Sequence, residues 1–165
     1  GTVSVPRGAT ELDRVSDVVT VPAVQGPQMC AVAFQGRAAC FDMQGGSQMW
    51  SREVTSVAGI TMDDRRVFIP DEQGVVHAFD RGTGASVWRQ DKLKYRNLSA
   101  PVALPMGLVV GDAEGFLHVL DRDTGEFISR MNVGGGGVMS ILPALGPNTV
   151  LLQTRGGSLM AVTLQ

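Results

Sequence analysis

The chain has 165 residues, enough for one domain with its own core, and a formal net charge of −2, which excludes a strongly cationic binder of nucleic acid or of a membrane surface. Hydrophobic residues make up 44% and charged ones 18%, too apolar for a disordered chain, and no apolar run approaches the roughly 18 residues of a membrane helix. The 21 glycines are nearly twice the usual share of ~7% and follow no collagen period, which points to many short strands joined by tight turns.

In chain order, a short Thr2–Val5 stretch precedes the polar segment PRGATELDR, after which strands follow in groups. The first group is Val18–Val24, Gln28–Phe34, Arg37–Asp42 and Gln48–Val54, and the second is Val57–Met62, Arg66–Pro70, Val75–Asp80 and Ser86–Gln90. The third is Leu98–Leu104, Gly107–Gly111, Phe116–Asp121 and Phe127–Val133, and the last has Val138–Ala144, Asn148–Thr154 and Ser158–Leu164. No helix is predicted anywhere. The groups coincide with an internal repeat anchored on Gly36, Gly74, Gly115 and Gly157, at steps of 38, 41 and 42 residues. Six residues after each glycine stand Asp42, Asp80, Asp121 and Thr163; ten after the first three stand Gly46, Gly84 and Gly125; fourteen after stand Trp50, Trp88 and Ser129.

Each position of this G-x5-D-x3-G-x3-W pattern has a mechanical reason. The aspartate ends a strand, where its carboxylate accepts N–H groups of the turn that follows. The closing glycine supplies a positive φ, and the tryptophan opens the next strand, where its ring can wedge between sheets. Alternate residues on the strands after each anchor glycine are apolar on both faces, as in Val76/Ala78 against His77/Phe79, so both faces are covered. Small antiparallel sheets covered on both faces and repeating every ~40 residues are blades of a β-propeller. The expected fold is therefore all-β, a propeller of four-stranded antiparallel blades forming a single partial domain over 1–165. Its blades run over 18–54, 57–90, 98–133 and 138–165, with 2–5 available as a closing strand.

Candidate chemistry is sparse. With Gln35-Gly36 as a two-residue turn, Cys30 lies opposite Phe41 and Cys40 opposite Ala31, so the sulfurs diverge and buried free thiols are expected; a disulfide would require a bulge. His77 and His118 occupy the same repeat position and read as packing residues, with no third histidine or suitably spaced carboxylate to complete a metal site. Asp63-Asp64, Asp71-Glu72 and Asp112/Glu114 read as solvated turns, and DAEG lacks the alternating oxygen ligands of a calcium loop. Gly134–Gly137 precedes a strand and lacks GK[ST], so it is a face loop and not a phosphate loop. No cofactor or metal is expected. Two segments stand apart: ELDRVSD, with Glu11, Asp13, Arg14 and Asp17, and KLKYR, with Lys92, Lys94, Tyr95 and Arg96 at the equivalent place two blades on. They combine dense charge with residue types that protein interfaces favour, against the plainer reading of solvated loop charge.

AFDRGTGASVW resembles the PQQ-like repeat of eight-bladed propellers. ELDRVSDVVTVP, KLKYRNLSAPV and GLVVGDAEGFLHVLDRDTG are similar to the C-terminal half of the BamB family of outer-membrane β-barrel assembly lipoproteins, a likeness running from about Gly8 to Gln165. The resemblance implies about four blades of an eight-bladed ring, from a protein lipid-anchored at the periplasmic face of the outer membrane; Cys30 and Cys40, inside strand patterns, are not its anchor cysteine. It further implies a non-enzymatic scaffold whose loops contact the POTRA domains of the central assembly protein BamA, with unfolded outer-membrane proteins as clients. Glu11, Asp13, Arg14, Asp17, Tyr95 and Arg96 would then be the protein-binding residues; Asp17 matches an acidic residue of the contact motif, and Val19 stands where the family often has a second aspartate. The competing class, a quinone-dependent dehydrogenase fragment or small-ligand sensor, would need calcium ligands, a catalytic aspartate and quinone-binding residues, none of which is identifiable. Half a ring would leave end blades bare, so a two-fold homodimer of the fragment is also expected.

Overall fold

A computed structural model describes residues 20–33, 36–56 and 58–165. Among them the regular elements are all strands, forming four antiparallel sheets in the order of the chain. The first sheet is β1 (Ala23–Gln25), β2 (Gln28–Ala33), β3 (Arg37–Asp42) and β4 (Ser47–Glu53); the second is β5 (Thr61–Met62), β6 (Arg66–Pro70), β7 (Val76–Asp80) and β8 (Ser86–Gln90). The third is β9 (Val102–Leu104), β10 (Gly107–Gly111), β11 (Phe116–Leu120) and β12 (Phe127–Asn132), and the fourth has β13 (Val138–Pro143), β14 (Thr149–Thr154) and β15 (Leu159–Thr163). The first strands β1, β5, β9 and β13 adjoin one another, placing them at the axis and the last strands at the rim. This is a β-propeller, as expected. The Thr2–Val5 stretch lies outside the described residues.

Alternation along each strand assigns side chains to opposite interfaces. In β6, Val67 and Ile69 pack with Cys30, Val32 and Trp50 of the first blade, whereas Phe68 packs with Leu108 and Leu120 of the third. Val109, Leu117 and Val119 face Ile141, Val150 and Leu152 of the fourth. The inner strands β1, β5 and β9 are shorter than the periodicity suggests, because Pro22, Gly59 and Pro101 interrupt the stretches before them; proline offers no N–H to a ladder. On the fourth sheet the face away from the third blade exposes Leu142, Leu151 and Leu159.

The repeat residues interlock the blades. Asp80 Oδ1 accepts N–H bonds from Gly82 (3.0 Å) and Thr83 (2.9 Å), and Asp121 Oδ1 does the same for Asp123 (2.8 Å) and Thr124 (2.9 Å). These bonds, from Thr83 and from Thr124 above all, hold both carboxyls below the ordinary aspartate range. Each outer strand carries a bulge, with Cys40 paired to Trp50 and Ala78 to Trp88, which turns the tryptophan inward. Trp50 Nε1 donates to the Arg81 carbonyl (2.9 Å) and Trp88 Nε1 to the Arg122 carbonyl (2.8 Å), both in the next blade. The rings lie flat against Gly84 and Gly125, where φ is +70° and +75°; a Cβ there would run into the indole, so turn conformation and ring contact both demand glycine.

One expectation is overturned. Cys30 and Cys40 form a disulfide, with their Cα atoms 4.1 Å apart. The register pairs Ala33 with Arg37 and Cys30 directly with Cys40, so three residues rather than two separate the last pair. A one-residue change in the connection moved both cysteines onto the same side. Breaking the bridge, by reduction or by replacing both cysteines with alanine, is expected to cost about 3 kcal/mol; urea melts with and without reductant measure it, and coincident curves would refute the effect.

Candidate functional site

The connection from β8 to β9 carries the KLKYR segment across to the third blade. Tyr95 N–H donates to the Gln73 carbonyl (2.9 Å), and the Arg96 carbonyl accepts from Ala113 N–H (2.9 Å), so the loop is stitched to hairpins of both blades. Tyr95 sits at φ 65° and Asn97 at φ 50°, left-handed values that a tyrosine adopts only when its surroundings impose them. The Tyr95 side chain is 83% exposed. An aromatic ring is thus presented to solvent on a strained, pinned backbone.

What pins it is an ionic network centred on the buried Asp112 carboxylate. Arg96 reaches Asp112 Oδ2 at 2.8 Å and Glu114 Oε2 at 2.9 Å. Asp112 is 0% exposed; its Oδ1 accepts from the N–H groups of Glu114 (2.9 Å) and Phe116 (3.0 Å), and its Oδ2 also faces His118 Nε2 at 2.7 Å. Burial by itself pushes the Asp112 carboxyl up, but the bonds from His118, Phe116 and Arg96 outweigh it and hold the carboxyl below the ordinary aspartate range. The Asp112 hydrogen bond in turn raises the Arg96 guanidinium. Burial lowers His118 below its usual range, so the ring is neutral near pH 7; because a carboxylate only accepts, Nε2 carries its proton and Nδ1 keeps a lone pair.

Asp112 therefore departs from the solvated-turn reading, as do Asp71 and Asp63. Asp71 Oδ1 accepts from Gln73 (2.9 Å) and Val75 (3.0 Å), and its Oδ2 lies 2.9 Å from His77 Nε2. Asp63 caps Arg65 and Arg66 N–H groups and pairs with Arg122 at 3.2 Å. The missed signal is a second repeat around the anchor glycines, aspartate three before and histidine three after, as in DEQGVVH and DAEGFLH; Thr154 fills the aspartate position in the fourth blade and accepts from Ser158 N–H (3.1 Å). The histidines are packing residues with a specific partner, and the described residues contain no group of three side chains able to hold a metal.

Of the six residues expected to bind a partner, Glu11, Asp13, Arg14 and Asp17 lie outside the described residues. Tyr95 is freely accessible. Arg96 is committed to Asp112 and Glu114, which makes it a strut that positions Tyr95 rather than a free contact.

The family model described as "Outer membrane protein assembly factor BamB" matches residues 1–90 and 72–165. The BamB of Bordetella pertussis is 45% identical over 163 residues, covering 98% of this chain and 42% of that protein, so the chain spans about two-fifths of its relative's length. The crystal structure of BamB from Moraxella catarrhalis superposes with a TM-score of 0.82 at 32% identity, over 93% of this chain and 45% of that one. A quinohemoprotein alcohol dehydrogenase from Comamonas testosteroni shares the fold alone, at 18% identity and a TM-score of 0.66 over 83% of this chain and 29% of its own. The relatives are named as assembly factors and not as enzymes. With the family model spanning the chain from end to end and the propeller matching that of a solved member, this chain belongs to the BamB family of outer membrane protein assembly factors.

Proposed function

We propose that the chain is part of a non-enzymatic scaffold of the outer-membrane protein assembly machinery, at the periplasmic face of the outer membrane, and that it docks to the POTRA domains of BamA through its blade-connecting loops. The observation that carries this reading is the display of Tyr95 on a left-handed backbone, latched by Arg96 onto buried Asp112. Strain concentrates where function holds it, and an exposed, conformationally fixed tyrosine is a favoured interface anchor. The Cys30–Cys40 disulfide supports an oxidising compartment such as the periplasm. ELDRVSD, with Glu11, Asp13, Arg14 and Asp17, would supply the charged part of the same contact, helping to hold the machinery that folds and inserts β-barrel proteins.

Binding of the full-length protein to isolated POTRA domains tests this. Tyr95→Ala and Asp17→Arg are each expected to weaken binding roughly tenfold, Arg14→Glu to weaken it as well, and Arg89→Ala on β8 to leave it unchanged. Equal binding by wild type and all the loop variants would remove these residues from the contact.

A further inference from the structure

Between the second and third blades, beside β12, lies a groove of about 410 Å³. Leu93 and Phe127 form its apolar wall, and Lys92, Arg96 and Arg130 its cations. Arg96 is held from behind by Asp112 and Glu114. Lys92 and Arg130 have no carboxylate partner among the described residues; the Arg130 guanidinium rests 4.7 Å from the Phe116 ring centroid instead. No carboxylate lines the groove, so its unbalanced charge is positive. His118 also lines it, 2% exposed, with Nε2 engaged by Asp112 and a buried Nδ1 that has no partner among the described residues.

The strand alongside differs from its counterparts. β12 is the outermost strand of its sheet, and all six of its residues are exposed. At the bulge where β4 and β8 turn Trp50 and Trp88 into the next blade, β12 keeps the bulge but carries Ser129. It is a rim strand without an indole lock into the next blade, with Phe127, Ile128 and Met131 all open to solvent. Outer sheet edges accept an added strand through their free backbone groups, and side-chain pockets beside the edge then set the sequence preferred.

We infer that this groove and the β12 edge together bind an extended peptide segment of alternating apolar and acidic residues. Acidic side chains meet Lys92 and Arg130 on the groove side of the added strand, and the alternate apolar ones turn to its other side and pack on Ile128 and Met131. Charge selects the partner: a basic segment would bring its cations against Lys92 and Arg130, and a purely apolar one would leave those two unmatched. The groove adjoins the docking contact proposed above, because Lys92 and Arg96 stand on the same connection as Tyr95, but peptide binding is read directly and does not depend on that contact.

The test uses full-length protein and fluorescein-labelled peptides of alternating valine with glutamate or valine with lysine, read by fluorescence anisotropy. The valine–glutamate peptide is expected to bind, with an affinity that falls as salt rises, and the valine–lysine peptide to bind at least roughly tenfold more weakly. Lys92→Glu combined with Arg130→Glu is expected to weaken the acidic peptide at least roughly tenfold while the melting temperature stays at the wild-type value. Equal binding of the two peptides, wild-type affinity in the doubly substituted protein, or no binding of the acidic peptide up to about 1 mM would each overturn the inference.

Discussion

Asp112→Ala is expected to destabilise the chain by about 3–5 kcal/mol, the usual cost of removing one partner from a buried ionic cluster. The loss is large because four donors depend on one carboxylate: Arg96, His118, and the N–H groups of Glu114 and Phe116. Asp112→Asn should recover only part of it, since the amide keeps one acceptor oxygen for the two backbone donors but turns an NH2 toward Arg96, which cannot accept. The network also fixes a pH dependence. His118 is lowered from 6.5 in the folded chain, so the folded state binds fewer protons, and its contribution is complete above pH 6.5 and lost as pH falls below that value. Asp112, lowered from 3.8, acts in the same direction at more acid pH. Urea midpoints should fall between about pH 7.5 and about pH 5, and His118→Gln should flatten that slope. An unchanged slope in the variant would show that other groups carry the dependence, and an Asp112→Ala protein within ~1 kcal/mol of wild type would dismiss the cluster as a structural keystone.

Trp88→Ala is expected to cost about 3–5 kcal/mol, combining loss of a large buried side chain with loss of the bond to the Arg122 carbonyl. Gly125→Ala should destabilise too, both because φ there is +75° and because the new methyl group displaces the indole. The two changes touch the same contact, so their effects should not add: Gly125→Ala should cost visibly less in a Trp88→Ala background. A double-mutant cycle by chemical denaturation measures this, and strict additivity would mean that ring and turn do not act together.

The blade architecture was legible because the repeat puts mechanically distinct residues at fixed offsets, and the turn aspartates, closing glycines and tryptophans all act as their spacing suggests. The disulfide was not, since its pairing hinges on whether two or three residues join Ala33 to Arg37, a difference that turn composition near Gly36 does not decide. Asp112 was misread for another reason. A local turn aspartate and a buried one share the same neighbours in sequence; what buries Asp112 is Arg96, brought over from the preceding blade connection. Tyr95 could be picked out as an interface type, but its left-handed backbone depends on bonds to Gln73 and, through Arg96, to Ala113, which only the packed blades supply.

The tryptophan lock has a direction. Each of the first two blades gives an indole to its successor, and the successor receives it on a glycine turn; no contact of this kind runs backward. A blade is consequently a module with two different ends, like a brick with a stud and a socket. Tandem duplication of the second blade would preserve every junction, because it carries both Gly84 and Trp88. Exchanging it with the third would not: Ser129 has no ring to give, and the turn after it would close over an empty seat. The order of blades in such a ring is thus inherited along with their sequences, and shuffling is confined to copies that keep both ends.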